Sequence, residues 1–423
     1  MKTMRCMLNP RGLLFIAFSV LFSHAVAQKY VGGDISLLPK YEANGAVYKD
    51  ASGNRITGGM INYFKAQGWN AMRVRLFVDP SKASATHKGE GVCQDLEFVK
   101  SLGKQIKDAG LAFMLDFHYS DTWTDPGKHA TPSGWTSSDP DELANTLYSY
   151  TKDCLNELVA AGATPDFVQP GNEITYGMLW PTGHCYPDGG NYSSGTFANF
   201  AKYLTAGIRA IRETCPQAQV VIQTEMSRVS NVISFYKTLK DYTNDYDVIG
   251  LSYYPYHHGG VANLKSVLNQ LTAGYPGKKI QLVETGYYHA YYPDDAKYEA
   301  AWPATDAGQL QFTKDIIAIL NEYEQVNGFY WWFPEANECG LDWNTKRVTD
   351  AWYNAGLFDN QTGKAMQSLY ELKTFLGDEA GIQQLSVEPA ESGNWYPLDG
   401  RRLAGTPAAK GLYIHGGKKK LKN

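Results

Sequence analysis

Three observations predict an α/β protein built as a closed (β/α)8 TIM barrel with a short C-terminal β-rich tail. Eight short apolar runs recur along the chain, each followed by a helical pattern. Strands alternating with helices imply parallel pairing, because a parallel crossover needs a dozen or more residues and usually a helix. The segments after the third and fourth runs, 118–140 and 174–194, are long and full of Trp, Tyr, Gly, Pro and Asp. In a barrel such segments form the active face.

The first run, Tyr30–Leu38, ends in Asp34-Ile35-Ser36-Leu37-Leu38-Pro39. An open doubly wound sheet usually shows a Gly-rich phosphate loop here, and none is present. The second run, Ala71–Val78, carries Arg73 and Arg75 two apart, hence on one face. The third, Leu111–Tyr119, sets Asp116 and His118 in the same alternation. Leu143, Leu147, Tyr150, Cys154 and Leu158 then fall on one helical stripe. Asp139-Pro140 before that stripe and Gly162 after it are its start and stop signals. The fourth run, Asp166–Glu173, is followed by a second stripe of Phe197, Phe200, Leu204, Ile208 and Ile211. The remaining runs are Gln219–Glu225, Asp247–Tyr254, Lys279–Thr285 and Gly328–Phe333.

The ends of the chain have a different character. Lys2, Arg5 and Arg11 flank a ten-residue apolar run, Leu13–Phe22, too short to span a bilayer. Ala25-Val26-Ala27 then forms a small-x-small cleavage signature, so residues 1–27 are expected to be a signal peptide and the protein to be exported. No later segment reaches eighteen uncharged apolar residues, so no membrane span is expected. Residues 28–383 are assigned to the barrel. Residues 384–423 hold seven Lys/Arg against three Asp/Glu, and Trp395–Arg402 and Gly411–Ile414 suggest two short strands among Gly/Pro turns. A net charge of −4 over 423 residues argues against a nucleic-acid surface. Past residue 27 there are five cysteines, Cys93, Cys154, Cys185, Cys215 and Cys339, an odd number with no CxxC pair. That disfavours a disulfide framework or a zinc site. Cys154 belongs to a helix core face, while Cys185 and Cys339, both in loops near the chemistry, are left as possible partners.

Two carboxylates carry the functional reading. The fourth run ends Gln169-Pro170-Gly171-Asn172-Glu173 and the seventh ends Val283-Glu284-Thr285. C-terminal strand ends of a barrel converge on one rim. Glu173 and Glu284 can therefore face each other as a retaining glycosidase requires, one attacking the sugar carbon and the other protonating the leaving oxygen. Asn172 is placed to hydrogen-bond a sugar hydroxyl. An inward arginine of the second run either keeps the nucleophile ionised or forms an interior ion pair. His118 either binds sugar hydroxyls or is a core histidine. Adjacent His257 and His258 do not make a metal site, since neighbours on a strand face opposite ways. Trp331 and Trp332 end the eighth run, and one of them must face the lumen. Trp123, Trp135, Trp180 and Trp343 are candidate platforms for the apolar face of a sugar ring.

Seven motifs in order resemble glycoside hydrolase family 53, the endo-β-1,4-galactanases. They are Gly33-Asp34-Ile35-Ser36, Tyr41–Ala46, Asn70–Leu76, Asp116–Pro126, Gln169–Glu173, Gly250–Pro255 and Val283-Glu284-Thr285. The resemblance runs from about residue 30 to about 376. It implies hydrolysis of β-1,4-galactan, the side chain of type I arabinogalactan and pectin. It assigns acid/base to Glu173 and nucleophile to Glu284. It also implies active-site roles for Asn172, Arg75, His118, Tyr254 and Trp331; with the candidate platforms Trp123 and Trp180, and with Asp121, these are the expected substrate-binding residues. Tyr254 is chosen over Tyr253 because it shares parity with the small Gly250 and Ser252. Some bacterial members bind calcium through a loop run of Asp, Asn and His. The stretch Tyr288–Gly308 holds Asp294, Asp295 and Asp306 but no such run, so no metal or other cofactor is assigned. The expected partners are galactan and its oligosaccharides, with no nucleic acid, and a monomer is expected. The alternatives are a related β-glycanase of another specificity and a non-catalytic polysaccharide-binding protein.

Overall fold

The computed structural model describes residues 28–292, 301–342, 344–349 and 352–377, with parts of 395–422. The expected signal peptide, the barrel–tail boundary near 383, and Asp294, Asp295 and Trp343 lie outside the described residues. Eight parallel strands close into a barrel in sequence order. They are β1 (Tyr30–Asp34), β2 (Ala71–Leu76), β3 (Ala112–Phe117), β4 (Phe167–Pro170), β5 (Gln219–Glu225), β6 (Val248–Tyr253), β7 (Lys279–Thr285) and β8 (Val326–Trp332). Closure is made by β1 pairing with β8, from Tyr30 opposite Gly328 to Asp34 opposite Trp332. Several strands are shorter than their apolar runs. β1 stops at Asp34 because a helix, Leu38–Asn44, begins four residues on. β4 stops at Pro170 because Gly171, at φ +106°, turns the chain.

The helices wrap the barrel with their apolar stripes inward. Pro140–Ala160 buries Leu143, Leu147, Cys154 and Leu158, and the Asp139 carboxylate accepts from the Asp141 and Glu142 amides at its start. Phe197–Thr214 buries Phe200, Leu204, Ile208 and Ile211 under a Thr196 cap. Each cap of this kind is worth about 1 kcal/mol. All five described cysteines are free thiols, so Cys185 and Cys339 are not paired. Cys185 packs beside Gly177 and Cys339 beside Gly363, in different loops.

Inside the barrel, Ala71, Met114, Phe167, Val221, Val248, Val283 and Tyr330 form a dry layer. Gly250 belongs to that wall. A Cβ there would lie 2.9 Å from Val221 Cγ1 and 3.3 Å from Val283 Cγ2. Gly250→Val is therefore expected to destabilise the fold by about 1–3 kcal/mol through overpacking. A urea midpoint equal to wild type would refute this.

The alternation of the wall breaks at one place. The β6–β7 register runs Leu251–Leu282 and then Ser252–Glu284, skipping Val283. The β7–β8 register is likewise irregular between Leu282 and Thr285. Strict alternation would turn Glu284 outward if Val283 faces in. The bulge admits one extra residue, so both face the lumen. The tail forms a separate three-stranded antiparallel sheet of β9 (Trp395–Pro397), β10 (Gly411–His415) and β11 (Lys418–Lys422), in the order β11-β10-β9. It thus has one strand more than expected, made from the Lys-rich end that hydrophobic patterning does not mark.

Candidate active site

A cleft of about 560 Å³ opens at the C-terminal ends of the barrel strands. That is within the range typical of small-molecule sites. Its wall includes Trp123, Asn172, Glu173, Glu225, Tyr254, Glu284, Trp332 and Trp352. The two glutamates predicted from strand ends 111 residues apart therefore share one cavity.

Below the cleft, charge replaces the dry layer. Arg73 is fully buried and serves five acceptors, the longest contact being Nη2 to Gln223 Oε1 at 3.4 Å. Its Nη1 reaches Asp34 Oδ2 at 3.1 Å, and its Nη2 reaches Asp116 Oδ2 at 2.8 Å, Glu284 Oε1 at 2.9 Å and Asn172 Oδ1 at 3.0 Å. A buried guanidinium is tolerated only where it is paired in this way. Glu284 receives two further donors, Gln223 Nε2 at 2.9 Å and the Tyr254 hydroxyl at 3.2 Å.

Glu173 lies just past β4 in the left-handed region, at φ +47°, ψ +49°. Such a conformation costs a non-glycine residue about 1 kcal/mol or more and persists only where the surroundings enforce it. Here Gln223 Oε1 accepts the Glu173 amide at 3.1 Å, and His129 Nε2 meets its carbonyl at 3.3 Å. Gln223 thus serves both residues, donating through Nε2 to the Glu284 carboxylate and accepting the Glu173 backbone amide through Oε1.

The two acids have unequal surroundings. Burial pushes the Glu173 carboxyl well above the usual range, and the charge of Glu284 pushes it further against one hydrogen bond from Ser252. Burial also raises Glu284, but Arg73 and Gln223 oppose that rise. Glu284 is accordingly the group held ionised and Glu173 the group that keeps a proton.

Asn172, Trp123 and Tyr254 stand on the cleft wall with the glutamates. Asn172 is oriented at both ends, donating to the Thr124 carbonyl at 2.7 Å while accepting from Arg73. Five other predicted substrate contacts lie off that wall. Arg75 is wholly buried, paired with Asp34 at 2.7 Å and covered by the rings of Trp123, Phe333 and Trp332. Arg73, not Arg75, is the arginine that touches Glu284. His118 is buried between Asp116 and Thr124. Its Nδ1 accepts the Thr124 amide at 3.1 Å, which directs the Nε2 proton to Asp116 at 3.2 Å. Trp331 faces outward, donating to the Ala355 carbonyl at 2.9 Å, and Trp332 faces the cleft. Asp121 clamps two loops by accepting the Asp79 and Ser133 amides. Trp180 stacks on His184 at 3.5 Å and donates to the Tyr176 carbonyl.

The parity that selected Tyr254 also selects Trp332, since Gly328, Tyr330 and Trp332 alternate together. Gln223 and Glu225 were legible by the same rule, two apart at the end of β5. Trp352 carried no such signal, because it enters the cleft from a loop at φ +66°. His257 and His258 lie on a short helix, Pro255–His258, not a strand, and no metal-ligating cluster occurs among the described residues.

The chain is similar to several known proteins. A family model described as glycosyl hydrolase family 53 matches residues 30–372. An uncharacterised protein of Niallia circulans is 32% identical over 362 residues, covering 82% of this chain and 94% of its own. The arabinogalactan endo-β-1,4-galactanase A of Aspergillus niger is 30% identical over 338 residues, covering 76% and 89%. Among solved structures, the family 53 catalytic domain of Ignisphaera aggregans superposes with a TM-score of 0.71 at 29% identity, covering 82% of this chain and 95% of that one. A fungal β-1,4-galactanase does so with a TM-score of 0.67 at 29% identity, covering 82% and 99%. From the barrel, its two rim glutamates and these relatives, it follows that the chain belongs to glycosyl hydrolase family 53.

Proposed function

We propose that this protein is an exported endo-β-1,4-galactanase that hydrolyses galactan by double displacement with retention at the anomeric carbon. One observation carries the mechanism: Glu284, ion-paired with Arg73 at 2.9 Å, shares a cleft with Glu173, which makes no ion pair among the described residues. Glu284 attacks the anomeric carbon while Glu173 gives its proton to the departing O4 of the next sugar. Glu173, now a base, takes a proton from water as that water displaces Glu284. Neutralising Glu284 in the covalent stage removes the charge that had raised Glu173, which suits the change from acid to base. Tyr254 and Gln223 orient the nucleophile, and Asn172 stands where it can meet the sugar 2-hydroxyl. Trp123, Trp332 and Trp352 give the cleft flat apolar surfaces. The galactan specificity rests on the relatives' names, and export rests on the leader-like residues 1–27. No cofactor enters this mechanism.

Purified protein is expected to release reducing ends from β-1,4-galactan faster than from β-mannan or cellulose oligomers. NMR should show the β-anomer first. An initial α-product would exclude double displacement, and no release from galactan would exclude the substrate. The kcat/KM profile should be bell-shaped, because activity needs Glu284 deprotonated and Glu173 protonated. The acidic limb follows Glu284 and the alkaline limb Glu173. Glu173→Gln is expected to abolish the alkaline limb, and its persistence would assign that limb to another group.

A further inference from the structure

The mechanism above leaves one buried acid of the cleft unused. Glu225 ends β5 and is 1% exposed, yet it lies on the cleft wall. One of its oxygens, Oε2, is fixed by the Ser227 amide. Its Oε1 is buried and makes no hydrogen bond of ordinary geometry within the protein, while burial raises the carboxyl and the nearby Ser227 and Thr175 hydroxyls oppose that rise. His258 does not supply one, since its Nε2 stands 3.7 Å from Oε2. Neither does a cation: burial pushes His258 down to about 3, so the ring is neutral. A carboxylate oxygen left unpaired in a buried setting costs about 1–3 kcal/mol and is a strong acceptor for any hydroxyl brought to it.

Position tells which hydroxyl that is. The β5 strand neighbours β4, whose end presents Glu173. The Glu225 amide donates to Thr175 Oγ1 at 3.2 Å, two residues past Glu173. The charge of Glu225 also bears on Glu173, helping to raise it. Glu225 therefore flanks the acid that protonates the leaving oxygen. The sugar that departs must lie on this side of the cleft.

We infer that Glu225 is a specificity-determining residue whose free carboxylate oxygen accepts a hydroxyl of the sugar on the leaving-group side. It rests on the galactanase reading but assigns a contact which that reading does not need. The residue rewards a sugar leaving group over one that lacks hydroxyls. A site built to pair with a hydroxyl discriminates strongly against partners without it.

The test compares two substrates on wild type and Glu225→Gln, which keeps the shape and an acceptor for Ser227. One is galactotetraose. The other is 4-nitrophenyl β-1,4-galactobioside, whose leaving group has no hydroxyl. At the pH optimum, Glu225→Gln is expected to lose about tenfold or more in kcat/KM on the tetraose and to stay within about twofold on the aryl substrate. Glu225→Ala should show the same split. Equal losses on both substrates would mean a structural role and overturn the inference, as would no loss on either. Failure of wild type to cleave either substrate would instead overturn the galactanase reading itself.

Discussion

Glu284→Ala is expected to lower kcat on galactan by at least about 10⁴-fold, the scale seen when a nucleophile is removed from a cooperating set. The fold should survive, because the change removes a buried carboxylate and leaves Arg73 four other oxygen acceptors in Asp34, Asp116, Asn172 and Gln223. The space left behind gives the experiment its power. Azide entering from the side vacated by Glu284 attacks the anomeric carbon directly and yields an α-galactosyl azide. Azide with Glu173→Ala instead attacks the glycosyl-enzyme and yields the β-product. Product stereochemistry from the two variants thus separates nucleophile from acid/base without relying on rates. A β-azide from Glu284→Ala, or activity near wild type, would remove Glu284 from its role.

Arg73→Leu should have the largest effect on stability. It deletes one cation from among Asp34, Asp116 and Glu284, all buried. Breaking a buried pair by removing one partner costs about 3–5 kcal/mol, since an uncompensated charge remains. The pH dependence has a definite sign. Burial tends to raise Asp116, but the Arg73 guanidinium and His118 outweigh it, so Asp116 sits below its usual value. In wild type its contribution to stability is complete above the ordinary aspartate value and fades as pH falls through the lower folded one. Without Arg73, burial is left to raise Asp116 and Glu284, and their protonation on acidification relieves the variant. The gap in urea midpoint between wild type and Arg73→Leu should therefore be wide at pH 7 and narrower near pH 4. A loss below about 1 kcal/mol at pH 7 would show that water reaches the network and screens it. Activity should also fall, because Glu284 then keeps its proton.

The site reads well from the sequence at some positions and poorly at others, because strand ends and alternation are local while contacts between strands are not. Glu173 and Glu284 stand at the ends of apolar runs, and topology alone delivers strand ends to one rim. Tyr254 follows from alternation along its strand. Trp332 follows from the same rule applied to Gly328, which argues that small residues facing a barrel interior are better guides than motif resemblance. Arg75 and His118 were assigned to substrate on motif grounds, although position two apart on a strand says only that a side chain points inward. Only the structure shows their depth: both are buried against aromatic rings, Arg75 under Trp123 and His118 beside Phe77 and Trp123.

Sequence alone determined the repeated strand–helix order, the closed parallel barrel, and the pair of acids at its mouth. These depend on local periodicity and on strand ends, which are properties of contiguous residues. Only the tertiary structure decided that Arg73 rather than Arg75 holds Glu284, that a bulge at Val283 turns Glu284 inward, and that Gln223 bonds both the Glu284 carboxylate and the Glu173 backbone. Each of these depends on side chains from strands far apart in the chain meeting in one low-dielectric space, where a shift of a single residue in register changes which charges touch.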